Sequence, residues 1–562
     1  MRKRGDKSYT YLSLVEAVRI DGKNTQKELF RLGEVGELER TGQLDRIVSA
    51  LSTYTTRHFC ATDELEGAGA PSYGATAAIA TYFDRLGLRA HFDAAGAKSR
   101  HQHLADTVFV MVANRLCDPA SKRRTITEWL SQVALQESVH APELDQCYRA
   151  LDAIADNKDE TEKVLYSRLT DLSNLDLRLA LYDLTSTYFE TNSGPTQAFS
   201  SRAYGYSRDH RSDRPQVVIG LLLTGNGIPI AHYVFPGNTR DSSTLKEVMA
   251  DYQMRFGVGK IALVCDRGLI SEQNLEDVAS AGFDHVMATR LHHDEDVAAV
   301  LEEAAGKESD WTKVAGVVGT SCCEVMRSGR RFVVVSSEQR KQRDDRRREQ
   351  LLSRTEEKLI LLADRVRSGK LVDPAKIGAA ADRILRDSGV GRCFFVTIKQ
   401  GVFSWRFDEK TLAYEEHLLA GRYVLVTSLS KEEASAPVIV RHYKMLQSVE
   451  RRFRVMKDFL GLRPVHHRLE ERVHAHIALC VIAAVIEAVM AEDLSAAQVH
   501  DPDLPEQTMS PRRALQELGK IRQHQLRAGK EIEVVDKPDR LQRAILDAFH
   551  VEDSGWGKVK LS

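Results

Sequence analysis

Residues 178 to 290 constrain the fold most, because short apolar runs and turn signals follow one another in an order that few architectures accept. "RLALYDLTSTYFE" (178–190), "QVVIGLLLTG" (216–225) and "IPIAHYVFPG" (228–237) are brief, rich in β-branched and aromatic residues, and read as three successive strands. Asn226-Gly227 joins the last two as a tight hairpin, since such a turn needs residues that tolerate positive φ. A helix follows, opened by the capping-box spacing of Thr244 and Glu247. "KIALVCD" (260–266) is apolar without alternation, the pattern of a strand covered on both faces. "RGLISEQNLEDVASAG" then continues as a turn and a helix capped by Ser271, and "FDHVMATR" supplies a fifth strand. Three antiparallel-type strands followed by helix, strand, helix and strand predict a mixed α/β sheet.

At 562 residues the chain is too long for one ordinary domain. Residues 8–36 read as a hairpin turning at Asp21-Gly22-Lys23-Asn24, and the pattern up to about 175 is mainly helical, with apolar residues three and four apart in "LADTVFVMVANRL" and "TEKVLYSRLTDL". Residues 1–175 are therefore expected to form an N-terminal hairpin and helical region. Residues 292–440 mix strand-like pieces ("RRFVVVSS", "CFFVTIKQGVFSWRF", "RYVLVTSL") with a charged helical segment, and are expected to be a β-rich domain inserted into the sheet fold. That fold spans 176–291 and resumes over 441–490. The tail, 491–562, is polar with two helical patterns, "PRRALQELGKIRQHQLRAG" and "PDRLQRAILDAF".

Composition excludes little about partners: 79 Lys+Arg nearly cancel 80 Asp+Glu, so only local clusters can point to nucleic acid. None of the eight cysteines forms a CxxC pair, which removes zinc-finger spacing and fits thiols in a reducing, cytoplasmic compartment. The start, MRKRGDKSYT, shows no apolar secretory segment. The longest apolar run, "HIALCVIAAVIEAVMA", is short for a span and is interrupted by Glu487; it predicts a buried core helix and no membrane association.

Three carboxylates stand out. Asp183 lies inside the first strand, where an unpaired buried charge is costly. Asp266 ends "KIALVCD", at the strand end where α/β folds place ligands. Glu450 lies in "HYKMLQSVERRFRVMKDFLGLRPVHHR" (442–468), a basic stretch with helical spacing. At about 100° per residue, Tyr443, Leu446, Glu450, Phe453 and Lys457 share one flank of that helix, beside its apolar stripe. Each acid alone is an ordinary turn, cap or surface residue. Together they are an oxygen-only donor set of the kind magnesium prefers, and two adjacent strands about 4.8 Å apart could bring Asp183 and Asp266 together. Basic residues around them would hold a phosphate backbone.

At these residues the chain resembles the DDE transposases of bacterial insertion sequences, in the branch with a Tyr–Arg–Glu–Lys signature after an inserted β-rich domain. In the pattern Y-x2-R-x3-E-x6-K, Tyr443, Glu450 and Lys457 match, while Leu446 stands in the Arg position; Arg451, Arg452 and Arg454 are nearby substitutes. Further blocks, among them "LYDLTSTYFE", "GYSRDHRSDRPQVVIGLLLTGNGIPIAHYVFPGNTRDSSTL", "VCDRGLIS" and "GRYVLVTS", occur in family order over most of 178–480. The resemblance implies a ribonuclease-H-like catalytic fold in which Asp183, Asp266 and Glu450 bind two Mg2+ or Mn2+ ions. It implies cleavage at terminal inverted repeats and joining of the 3′ ends to target DNA, by a homodimer in the synaptic complex, and Tyr443 and Lys457 as DNA contacts. The rival readings are a metal-dependent nuclease without strand transfer and an inactive or domesticated DNA-binding protein.

Other features are weaker. "YGYSRDHRSDR" (204–214) interleaves aromatic residues with arginines, and Arg208 and Arg211 are expected to contact DNA. Arg463, His466, His467 and Arg468 are as consistent with an exposed loop as with a DNA patch. The mixed-sign segment Arg340 to Arg348 reads first as a solvated helix face, and Trp405 as core packing.

Overall fold

The computed structural model describes all residues except 1, 5–6, 21–22, 53, 55–65, 173–178, 191–200, 258–260, 267–268, 270–271, 290–294, 400, 528–530, 553–555, 558 and 562. The Asp21-Gly22 part of the predicted turn, Cys60 and the Ser271 cap lie outside the described residues. The chain forms two compact units: Met1–Pro71 with Arg522–Lys537 and Gly555–Ser562, and Ser72–Ile521 with Pro538–Ser554.

In the first unit, Tyr11–Ile20 and Lys23–Glu34 form the expected antiparallel hairpin, followed by helices Val35–Arg40 and Gln43–Ser52. A four-stranded antiparallel sheet joins Glu66–Gly69, Gln523–Arg527, Glu531–Val535 and Val559–Leu561. This corrects the reading of "PRRALQELGKIRQHQLRAG" as one helical pattern: the helix is Pro511–Leu518, and Gln523–Arg527 is a strand. Backbone pairing on both of its sides overrides a modest local helix preference.

The second unit is built on a nine-stranded mixed sheet. Its strands are β1 (Leu179–Tyr188), β2 (Gln216–Thr224), β3 (Pro229–Pro236), β4 (Ala262–Cys265), β5 (Asp284–Ala288), β6 (Thr312–Lys313), β7 (Thr320–Arg327), β8 (Arg330–Ser337) and β9 (Arg422–Thr427). Their order across the sheet is β6-β7-β8-β9-β5-β4-β1-β2-β3. β1 to β3 are antiparallel neighbours, whereas β4 runs parallel to β1 and β5 parallel to β4. The first five strands thus take the order 3-2-1-4-5, the ribonuclease-H-like arrangement.

The burial pattern explains the sequence texture. Every residue of β2 and of β4 is buried, as continuous apolar runs require when both faces are covered. Ala180, Tyr182 and Leu184 join Val248, Met249 and Tyr252 in the core on one side of the sheet. By alternation Leu181 and Asp183 project to the other side. Helix Leu446–Arg454 packs against β1 and helix Glu470–Ala496 against β3.

The stretch 292–440 is partly continuous with the sheet, since β6, β7, β8 and β9 extend it and β9 sits between β8 and β5. The remainder is a small body of its own: helices Glu338–Arg367 and Pro374–Ser388 and the hairpin Phe394–Lys399 with Val402–Phe407, around Leu359, Leu362, Ile377, Phe394 and Phe403.

Helices Leu104–Cys117 and Leu144–Asp156 pack on Glu470–Ala496. That last helix is long and apolar enough to cross a membrane, but 94% of its apolar window is buried inside the protein, so it serves as the core helix. Glu487, which interrupts its apolar run, pairs with the buried Arg452.

Candidate active site

The parallel ladder between β1 and β4 runs from Leu179↔Ala262 to Tyr182↔Cys265. Asp183 and Asp266 are the next residues on the two chains, so they lie side by side where the ladder ends, about one strand spacing of 4.8 Å apart. Within β1 only Asp183 and Tyr188 escape full burial. Asp266 is exposed. Glu450 comes from helix Leu446–Arg454, seated on β1, with Val449 and Phe453 among its buried residues.

Electrostatics tie the three together. Burial pushes the Asp183 carboxyl up to about 7. A backbone hydrogen bond from Leu184 and the charge of Arg208 work against that rise, while the charges of Asp266 and Glu450 add to it. Among the described residues, no three His, Cys, Asp or Glu side chains are disposed as a ready-made metal site.

Tyr443 closes helix Ala436–Lys444 and donates from Oη to Asp266 Oδ1 at 3.4 Å. Burial, and then the Asp266 charge, raise its phenol well above the ordinary value. Its ring tilts against Tyr423 of β9, with centroids 5.7 Å apart.

Lys457 lies in a π-helical turn, Val455–Phe459, that continues the Glu450 helix. Its Nζ stands 2.8 Å from Asp209 Oδ1, and Arg463 Nη1 donates to the same oxygen at 2.5 Å. The Asp209 side chain is only 4% exposed. Burial lowers the lysine, with the Asp209 contact opposing. Sequence reasoning missed Asp209: nothing in "YGYSRDHRSDR" marks which carboxylate turns inward.

The loop carrying Asp209 is fixed by close backbone contact. A Cβ on Gly205 would lie 2.0 Å from the Gly237 carbonyl oxygen, and one on Gly237 would lie 2.2 Å from that of Gln216. Only glycine fits at either position. The loop returns Arg208 toward β1, where its backbone N–H donates to Ser186 Oγ at 3.1 Å and its Nη2 to Asp241 at 2.6 Å. Arg211 lies over the Tyr188 ring at 4.9 Å and pairs with Asp213 at 2.8 Å. Tyr204 and Tyr206 are exposed.

Of the three arginines near Leu446, Arg451 and Arg454 are exposed, whereas Arg452 is buried against Glu487 and cannot reach a ligand. His466 is exposed; His467 is held down to about 4 by burial and nearby cations, and its ring lies 5.5 Å from that of His476. Trp405 packs on Phe394, with centroids 5.8 Å apart.

This fold and these strand-end acids define a class, and comparison with known families gives the same one. Residues 180–486, more than half of the chain, match the model of the Transposase DDE domain, and the chain belongs to that family. Residues 1–63 match the N-terminal domain of IS1634 family transposases, which makes it a DDE transposase of the bacterial insertion-sequence type. No curated protein matches it. Among solved structures, a piggyBac transposase synaptic complex with hairpin DNA is similar at 10% identity over 74% of this chain and 70% of that one, with a TM-score of 0.34. A Mos1 transposase paired-end complex is similar at 13% identity over 35% and 57%, with a TM-score of 0.15. Such scores support no residue correspondence with either.

Proposed function

We propose that this transposase cuts DNA at the terminal inverted repeats of its own element and joins the exposed 3′ ends to target DNA, with Asp183, Asp266 and Glu450 as its catalytic carboxylates. The observation that carries the reading is the register of β1 and β4, which sets two acids side by side at the end of a parallel ladder and within electrostatic reach of a third.

The donor set fits a pair of Mg2+ or Mn2+ ions: three carboxylates, one of them half-buried and disfavoured as an anion first by burial and then by the charges of the other two. When bound, such ions polarise the phosphodiester and lower the pKa of an attacking water. The chain's own residues do the rest. Tyr443 steadies Asp266 through its hydroxyl. Lys457 and Arg463, gathered by Asp209, present positive charge beside the Glu450 helix for a phosphate. Arg208, Arg211, Arg451 and Arg454 extend that basic surface along the DNA backbone. Catalysis on this reading is positioning and charge neutralisation, with no covalent enzyme intermediate. Synapsis of two ends calls for a homodimer, acting in the bacterial cytoplasm on the nucleoid.

The test incubates purified protein and Mg2+ with duplexes carrying the element's flanking ends and a target plasmid. Cleaved ends joined to the plasmid are the expected products. Cleavage without joining would make the protein a nuclease, and binding without cleavage an inactive DNA-binding protein.

A further inference from the structure

The first turn of helix Glu338–Arg367 reaches the catalytic sheet. Arg340 Cζ lies 5.2 Å from the centroid of the Tyr423 ring on β9, and Lys444 Nζ lies 5.8 Å from the same centroid. Lys444 directly follows Tyr443 at the end of its helix. Arg343, one turn beyond Arg340, is exposed. These three cations crowd one another: burial lowers the Lys444 ammonium, and the charges of Arg340 and Arg343 lower it further. Arg340 has Asp344 at 3.6 Å. No carboxylate forms an ion pair with Arg343 or Lys444 among the described residues.

One buried polar group there lacks a hydrogen-bond partner among the described residues. Tyr423 is 5% exposed and its Oη has no hydrogen bond among the described residues, while Arg340 Nε faces Asp344 Oδ2 at 3.6 Å. A solvated helix face does not account for this, since an arginine serving only solubility has no reason to lie on the ring of a buried tyrosine whose hydroxyl is unpaired. Crowded cations beside an unpaired buried hydroxyl are completed by an anion. The cluster also adjoins the catalytic acids, because the Tyr423 ring leans on Tyr443 and the Tyr443 hydroxyl reaches Asp266.

We propose that Arg340, Arg343 and Lys444, arranged around Tyr423, bind a backbone phosphate of the DNA strand running past Asp266. The inference rests on the DNA-cutting function proposed above. It also accounts for Leu446: where the signature has an arginine this chain has none, and the cations come instead from the inserted helix and from the residue after Tyr443.

The experiment is the salt dependence of binding to a duplex of the element's flanking end, followed by fluorescence anisotropy. Each phosphate contact contributes about one to the slope of log K against log salt. Arg340→Gln/Lys444→Gln is expected to flatten the slope by about one and to weaken binding roughly tenfold at low salt, with less loss at high salt. Arg343→Gln, at an exposed position, gives a smaller change in the same direction and covers the case in which the double variant fails to fold. Lys444→Arg is expected to keep the slope, and Arg367→Gln, at the far end of the helix, to leave it unchanged. A slope equal to wild type in both glutamine variants overturns the proposal and leaves Arg340 and Lys444 as packing on Tyr423. Failure of the wild-type protein to bind the flanking end overturns the DNA-cutting reading, and this inference with it.

Discussion

The pairing of Arg452 with Glu487 predicts an asymmetric response to mutation. Both side chains are about 10% exposed, and Arg452 Nη1 also donates to the Ala484 carbonyl at 3.2 Å. The pair fastens the helix carrying Glu450 to the core helix Glu470–Ala496. Removing one partner strands the other charge away from water, which costs about 3–5 kcal/mol in sites of this kind. The remaining exposure places Glu487→Leu near the lower end, about 3 kcal/mol. Replacing both, Arg452→Met with Glu487→Leu, removes the charges together and is expected to cost under about 1 kcal/mol. Equilibrium urea unfolding of the wild type, the two single variants and the double variant forms the thermodynamic cycle. A coupling energy of at least about 2 kcal/mol is expected. Additive losses would show that the two groups do not act as a pair. Single variants within about 0.5 kcal/mol of wild type, the range of ordinary surface changes, would show that the helix is held by its apolar face alone.

Three other outcomes follow from the same structure. Lys122 is buried beside Arg115, and burial first, then that charge, lowers it to about 7 from 10.5. The unfolded chain therefore binds the extra proton between those values, so stability rises with pH across that window and Lys122→Met removes the rise; urea midpoints at pH 7 and 9.5 check it, and an unchanged difference between them in the variant would sink the idea. Asp209→Ala releases Lys457 and Arg463 from their shared oxygen and is expected to slow end cleavage about tenfold with little loss of fold, whereas full activity would mean the lysine needs no anchor. Asp183→Asn and Asp266→Asn are each expected to abolish the stabilisation of the protein by Mg2+ in thermal melts, and a wild-type response from both would remove the strand-end acids from metal binding.

Much of the sheet is legible in the sequence because its signals are local. β2 and β4 are continuous apolar runs, and Asn226-Gly227 sets the hairpin between β2 and β3. The fate of Gln523–Arg527 is not local: its strand exists through partners at Glu66–Gly69 and Glu531–Val535, one of them hundreds of residues away. The same holds at the site. The composition of 442–468 shows a carboxylate among cations, and helix geometry gives Glu450 its flank. Which arginine is buried, which carboxylate meets Lys457 and which distant helix approaches Tyr423 are set by tertiary packing that no spacing encodes. Arg452 and Arg454 differ by half a turn of helix, yet one is locked to Glu487 and the other faces solvent.

On the proposed function, Glu450 and the two strand-end aspartates together move DNA. The most direct measurement places the gene with its native flanking DNA on a donor plasmid and counts excisions and new insertions in cells, wild type against Glu450→Gln. Insertions are expected from wild type and none above background from the variant, with equal protein levels. Insertions at the wild-type rate from Glu450→Gln would contradict the proposal.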